Sequence, residues 1–209
     1  ISTVNPLGGD GGAINIVTSG GVEIGGGIYT YGTMNGGTGI GGKGGNVTIN
    51  AGGRVAIEDG PTSLGEISGS IINLGDGASQ IAAADASGIA AFGANAESTG
   101  QTPGAGGTIN ITASGDIILP YGANSAGGSA FYSGSTASGA RGGDIALTAT
   151  NGGNVYVGVF PGAPYTYGVS GAVNGNIVGI VSVGGNAGDT IAATDGGNGG
   201  AGGNVTISG

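Results

Sequence analysis

The sequence predicts an all-β chain: a right-handed parallel β-helix, or β-solenoid, of about 6–7 coils of roughly 32 residues each. Three observations carry that prediction. Of 209 residues, 56 are Gly, while Val, Ile and Leu fall in short alternating runs. One strand motif recurs five times at related intervals, and a second alternation follows each complete copy.

The motif is two Gly, any residue, then apolar–any–apolar. As the opening strand of a unit it occupies 11–16, 44–49, 106–111, 142–147 and 202–207. The second alternation is Val22-Glu23-Ile24, Val55-Ala56-Ile57, Ile117-Ile118-Leu119 and Val155-Tyr156-Val157. It starts 6, 6, 6 and 8 residues after the last apolar residue of the first run. Each unit therefore reads as strand, tight Gly-containing turn, strand. Period-2 alternation sends one side chain inward and the next outward.

The second Gly of each motif stands at 12, 45, 107, 143 and 203, so the intervals are 33, 62, 36 and 60. The long intervals are close to twice the short ones. Each is expected to hide a degenerate copy, Gly69-Ser70-Ile71-Ile72-Asn73-Leu74 and Gly175-Asn176-Ile177-Val178-Gly179-Ile180. Coils would then group in threes, with a super-period of 95 to 98 residues. No charged linker or change in composition interrupts the pattern, so residues 1–209 are expected to form a single array.

One such unit buries little apolar surface alone; stacked units pair their strands and bury a continuous core. Gly is expected at corners that need positive φ. A β-sandwich is the structural competitor. A polyglycine bundle would leave the β-branched alternation without a role. Collagen is excluded, because Gly does not recur at every third position.

Net charge is −9, with only three basic side chains. Nucleic acid is not an expected partner, since phosphate neutralisation requires clustered Lys and Arg. No apolar run reaches the length of a membrane-spanning helix. The sequence opens on Ile1, as a processed chain or a window of a longer one would.

The stretches GGKGGNVTINAGGRVAI (41–57) and GGNGGAGGNVTI (196–207) resemble repeats of filamentous-haemagglutinin-like bacterial surface proteins. They are most similar to the long Gly-rich β-strand-repeat members of cyanobacteria and other environmental bacteria. The resemblance implies secretion, an extracellular or cell-surface location, parallel β-helices, and adhesion or fibre formation. A structural, non-enzymatic role is expected. The alternative is a polysaccharide-binding or polysaccharide-cleaving β-helix.

With no Cys or His, nucleophile–His triads and thiolate metal sites are impossible. Glu58-Asp59 is the only adjacent acidic pair, and before Gly60-Pro61 it reads as a turn. No catalytic residue, metal ligand set or cofactor is expected. Incidental calcium would sit at Asp10, Asp144, Asp189 or Asp195. Two aromatic pairs, Tyr29/Tyr31 and Tyr165/Tyr167, each place both rings on one strand face. They are the candidate contact or surface-polysaccharide face. The outward first-strand position carries Asn15, Thr48, Asn110, Ala146 and Thr206, a set suited to stacked polar ladders. Asp10, Lys43 and Arg141 share one motif position, which would stack Asp10 against Lys43 on adjacent coils. Ile1 and Val4 at one end, and Val205 and Ile207 at the other, are the expected end-stacking strands. The expected partner is the chain itself, as a head-to-tail homopolymer or a longer parent chain.

Overall fold

The computed structural model describes residues 1–5, 7–36, 39–57, 88–130, 137–157, 179–187 and 197–209. Three parallel sheets run the length of the molecule, each with its strands in sequence order. The first sheet stacks β2 (Ile14–Thr18), β5 (Val47–Ala51), β8 (Ile109–Ala113), β11 (Ile145–Ala149) and β14 (Val205–Ser208). The second stacks β3 (Val22–Ile24), β6 (Val55–Ile57), β9 (Ile117–Leu119) and β12 (Val155–Val157). The third stacks β1 (Ser2–Val4), β4 (Ile28–Tyr31), β7 (Ile89–Ala90), β10 (Ala123–Asn124) and β13 (Ile180–Val181). This is the right-handed parallel β-helix that the repeat predicts, with the hand expected of parallel crossovers.

Alternation fills its interior. Ile14, Val47, Ile109, Ile145 and Val205 form one column, and Ile16, Ile49, Ile111, Leu147 and Ile207 the next. Val22, Val55 and Ile117, with Ile24 and Ile57, face them from the second sheet. Ile28 and Ile89 close the core from the third. Each fully buried Ile or Leu contributes about 1.5–3 kcal/mol through removal from water.

The coil count differs from the expectation. β5 pairs directly with β8, Val47 with Ile109, across the 62-residue interval. β11 likewise pairs with β14, Ile145 with Val205, across the 60-residue interval. A hidden coil would hold those strands two spacings apart, about 9.6 Å, and forbid the hydrogen bonds. Among the described residues, four turns therefore carry all three sheets. The extra residues enter between β6 and β7 and between β12 and β13. The expected copy at 69–74 lies outside the described residues, as do 175–178. Ile180 begins β13 in the third sheet, so it is not part of a first strand. Coils consequently alternate short and long, and the super-period of 95 to 98 residues spans two coils, not three.

Between the third sheet and the next first-sheet strand, the chain leaves the solenoid and returns as two extended Gly-rich segments. Successive residues bond to different neighbours: Gly41 N–H to Thr102 C=O, Gly42 N–H to Thr33 C=O and Gly44 N–H to Ala105 C=O. A zigzag links these segments from coil to coil. Gly42 donates to Thr33, Ala94 to Gly42, Gly104 to Ala94, Gly128 to Gly104, Ala140 to Gly128, Gly185 to Ala140 and Gly200 to Gly185, at 2.8–3.1 Å. A Cβ on Gly42, Gly104, Gly128, Gly185 or Gly200 would lie closer than 3.0 Å to a neighbouring carbonyl oxygen. The solenoid and a glycine lattice, opposed in the sequence reading, are thus adjoining parts of one coil.

The paired glycines of the motif also depart from expectation. None of them has positive φ. Apart from Gly12, which faces the Thr3 side chain, they are glycine because a side chain would collide with backbone, as at Gly45 against Gly12 and Gly107 against Gly45. Positive φ occurs at true turns such as Gly122 and, after β11, at Asn151 and Gly152.

Candidate functional site

The features repeated at every level are the coil edges, and three sets of side chains complete them. The first is an inward hydroxyl column at the junction of solenoid and lattice. Thr3 Oγ1 donates to Gly12 C=O (2.6 Å) and Thr30 Oγ1 to Gly45 C=O (2.7 Å). Ala91 occupies the next level and has no hydroxyl. Ser125 Oγ supplies the missing bond by donating to Gly107 C=O, and it also accepts Gly143 N–H (3.1 Å). Ser182 repeats that arrangement with Gly143 C=O (2.6 Å) and Gly203 N–H (2.8 Å). At Thr30 and Ser125 these contacts are buried and give peptide groups a partner away from water; at Ser182 they are part-buried and at Thr3 exposed.

The second set is a ladder of Asx and Ser acceptors. Each takes the backbone N–H of the same-column residue one coil later. Asp10 Oδ1 accepts Lys43 N–H, Asn46 Oδ1 accepts Thr108, Asp116 Oδ1 accepts Asn154, and Asp144 Oδ1 accepts Asn204, at 2.8–2.9 Å. Buried Asn95 accepts Ser129 N–H (2.7 Å), and Ser129 Oγ accepts Asn186 N–H (2.9 Å). Asp10 does stack against Lys43, but through the main chain. The ion pairs among the described residues are Arg54–Glu23, between adjacent coils, and Arg141–Asp144 (2.6 Å).

Asp144 is the member whose titration is perturbed. The Asn204 N–H and then the Arg141 guanidinium stabilise its carboxylate and hold its pKa below the usual 3.8. A depressed pKa in the folded state stabilises fully above the unfolded value and less as pH falls through the folded one. Acid below about pH 3.8 is therefore expected to speed hydrogen exchange at the Asn204 amide. Asp144→Asn should remove that pH dependence while keeping an acceptor, and Asp144→Ala should expose the amide at every pH.

The third set is aromatic. Tyr29 and Tyr31 lie on the outward face of β4, with ring centroids 5.9 Å apart. Tyr31 is only 2% exposed and stacks on Phe92 at 5.4 Å. Tyr31 is thus the centre of a second apolar cluster with Ala90 and Phe92, and of the pair Tyr29 alone keeps accessible surface. Tyr165 and Tyr167 lie outside the described residues, as do Glu58, Asp59, Asp189 and Asp195.

The expected end-stacking residues occupy opposite extremes of the array and different sheets. Ile1 and Val4 belong to the β1 edge of the third sheet, where Val4 pairs with Tyr31 and the Ile1 ammonium donates to Gly27 C=O (2.7 Å). Val205 and Ile207 belong to the β14 edge of the first sheet and are 46% and 52% exposed. Their inward columns lead back to Ile14 and Ile16 on β2, residues that the sequence reading did not single out. The Asx ladder was also missed, although its signal is visible: Asn46, Asp116, Asp144, Asn154 and Asn204 each stand immediately before a strand.

Outward positions of the first sheet form two columns. Asn15, Thr48, Asn110, Ala146 and Thr206 make one, and Val17, Asn50, Thr112, Thr148 and Ser208 the other. Neither column carries a charge. Among the described residues, no three carboxylates gather as a metal site. Comparison with protein-family models, curated proteins and solved structures yields no match.

Proposed function

We propose that the chain is a structural element of an extracellular or cell-surface bacterial filament or adhesin, assembled by stacking coil on coil. The observation that carries this reading is the equivalence of coil edges. The first-sheet register repeats from β2 to β14 with the same inward columns, and the same class of corner acceptor recurs along it. A coil edge of this kind is a template for another coil, whether in the same chain or a second copy. The resemblance of residues 41–57 and 196–207 to filamentous-haemagglutinin-like repeats supports a secreted surface location. The chemistry resides in backbone pairing and apolar columns, which suits a structural role over a catalytic one.

Light scattering across a concentration series tests the proposal. Particle mass should rise with concentration, with elongated particles visible by negative stain. A concentration-independent monomer would count against self-stacking. The polysaccharide-binding alternative draws on the two uncharged Asn/Thr/Ser columns of the first sheet. A chain that stays monomeric but is retained on an insoluble polysaccharide would favour it.

A further inference from the structure

The outward face of the first sheet is a regular two-dimensional array of side chains. Its two columns, Asn15–Thr48–Asn110–Ala146–Thr206 and Val17–Asn50–Thr112–Thr148–Ser208, keep register over five strands. All ten side chains are exposed or half-buried. In a chain of net charge −9, none of these five strands carries a charged residue. Eight of the ten residues have an amide or hydroxyl, yet a single pair is bonded, Ser208 Oγ donating to Thr148 Oγ1 (3.4 Å). The other polar groups of the face therefore turn to solvent instead of lacing the coils together. Behind them Ile109, Ile111, Ile145 and Leu147 are fully buried and hold the array in place. Thr and Val, branched at Cβ, have few rotamers to lose when a ligand binds.

The dimensions of this array identify its ligand. Side chains repeat about every 4.8 Å along the stack and about every 6.6 Å between the columns. Water in a tetrahedral lattice, with O···O near 2.75 Å, places oxygens two bonds apart at about 4.5 Å and repeats its stacked layers at about 7.3 Å. Across five strands the first mismatch accumulates to about 1.2 Å, well under one spacing. From this match, with the lack of charge and the unused hydrogen-bonding groups, we infer that the first-sheet face binds ice. A charged group would hold a hydration shell of its own and disrupt the lattice. The five strands also carry no aromatic ring on which a sugar could stack. This activity belongs to a face of the solenoid and is independent of coil stacking.

Nanolitre osmometry of the purified chain tests it with ice as the probe. Ice crystals should be faceted, with a measurable gap between melting and freezing points; unshaped crystals and no gap would overturn the inference. Thr112→Lys puts a strongly hydrated ammonium at the centre of the array and should shrink the gap at least five-fold with unchanged circular dichroism. Asn110→Lys, at an exposed position, should do the same and serves where Thr112→Lys does not fold. Leu7→Lys, at a side chain 89% exposed outside the first sheet, should leave the gap unchanged. An equal loss in Leu7→Lys, or a gap unaffected by either first-sheet variant, would overturn the assignment to this face. Retention on an insoluble neutral polysaccharide, lost in the first-sheet variants while ice growth is unaffected by any form, would give the face to a saccharide instead.

Discussion

Replacing Gly104 by Ala is expected to destabilise the protein far more than replacing Gly25 by Ala. At Gly104 the new Cβ would lie closer than 3.0 Å to the Gly42 carbonyl oxygen and carbon, both main-chain atoms fixed by the Ala94 hydrogen bond. Neither partner can turn away as a side chain could. The lattice must open locally, at a cost of about 3 kcal/mol. For a chain of this size that lowers the thermal midpoint by roughly 6–12 °C. Gly25 meets nothing within 4 Å and does not have positive φ. Gly25→Ala should be neutral or stabilising by up to about 1 kcal/mol, through the reduced entropy of the unfolded chain. Calorimetry of the two variants measures the difference, and equal midpoints would show that the lattice is not under steric constraint.

Ile111→Ala is expected to cost about 3–4 kcal/mol. Ile111 is fully buried, stacked between Ile49 and Leu147 at the middle of the first sheet. Its loss removes contacts to both neighbouring coils, and in a one-dimensional stack those junctions carry the stability. Hydrogen exchange should therefore quicken at β5 and β11 as well as at β8. Outward Asn110, the adjacent residue, is exposed, and Asn110→Ala should change stability by less than about 0.5 kcal/mol.

The solenoid was legible because its inward columns follow period 2 in every unit. Val22–Ile24, Val55–Ile57, Ile117–Leu119 and Val155–Val157 emerge as strands with the bounds the alternation marks. The coil count was not legible, because interval length cannot distinguish a degenerate coil from an excursion inside one. Only the pairing of Val47 with Ile109 decides it. The glycine lattice was hidden for a different reason. Composition shows that Gly is required, but not whether for positive φ or for close approach of backbone, and in the motif pairs the second cause operates. The aromatic pair was placed on one face correctly by alternation. Burial of Tyr31 against Phe92 depends on a residue 61 positions away (92 − 31), which no local pattern connects.

Fibre diffraction from oriented assemblies of the purified chain addresses coil-on-coil stacking most directly. Stacked coils place strands across the fibre, so a reflection near about 4.8 Å should lie along the fibre axis. The same reflection perpendicular to that axis would mean that solenoids associate side by side, and would contradict growth through the coil edges.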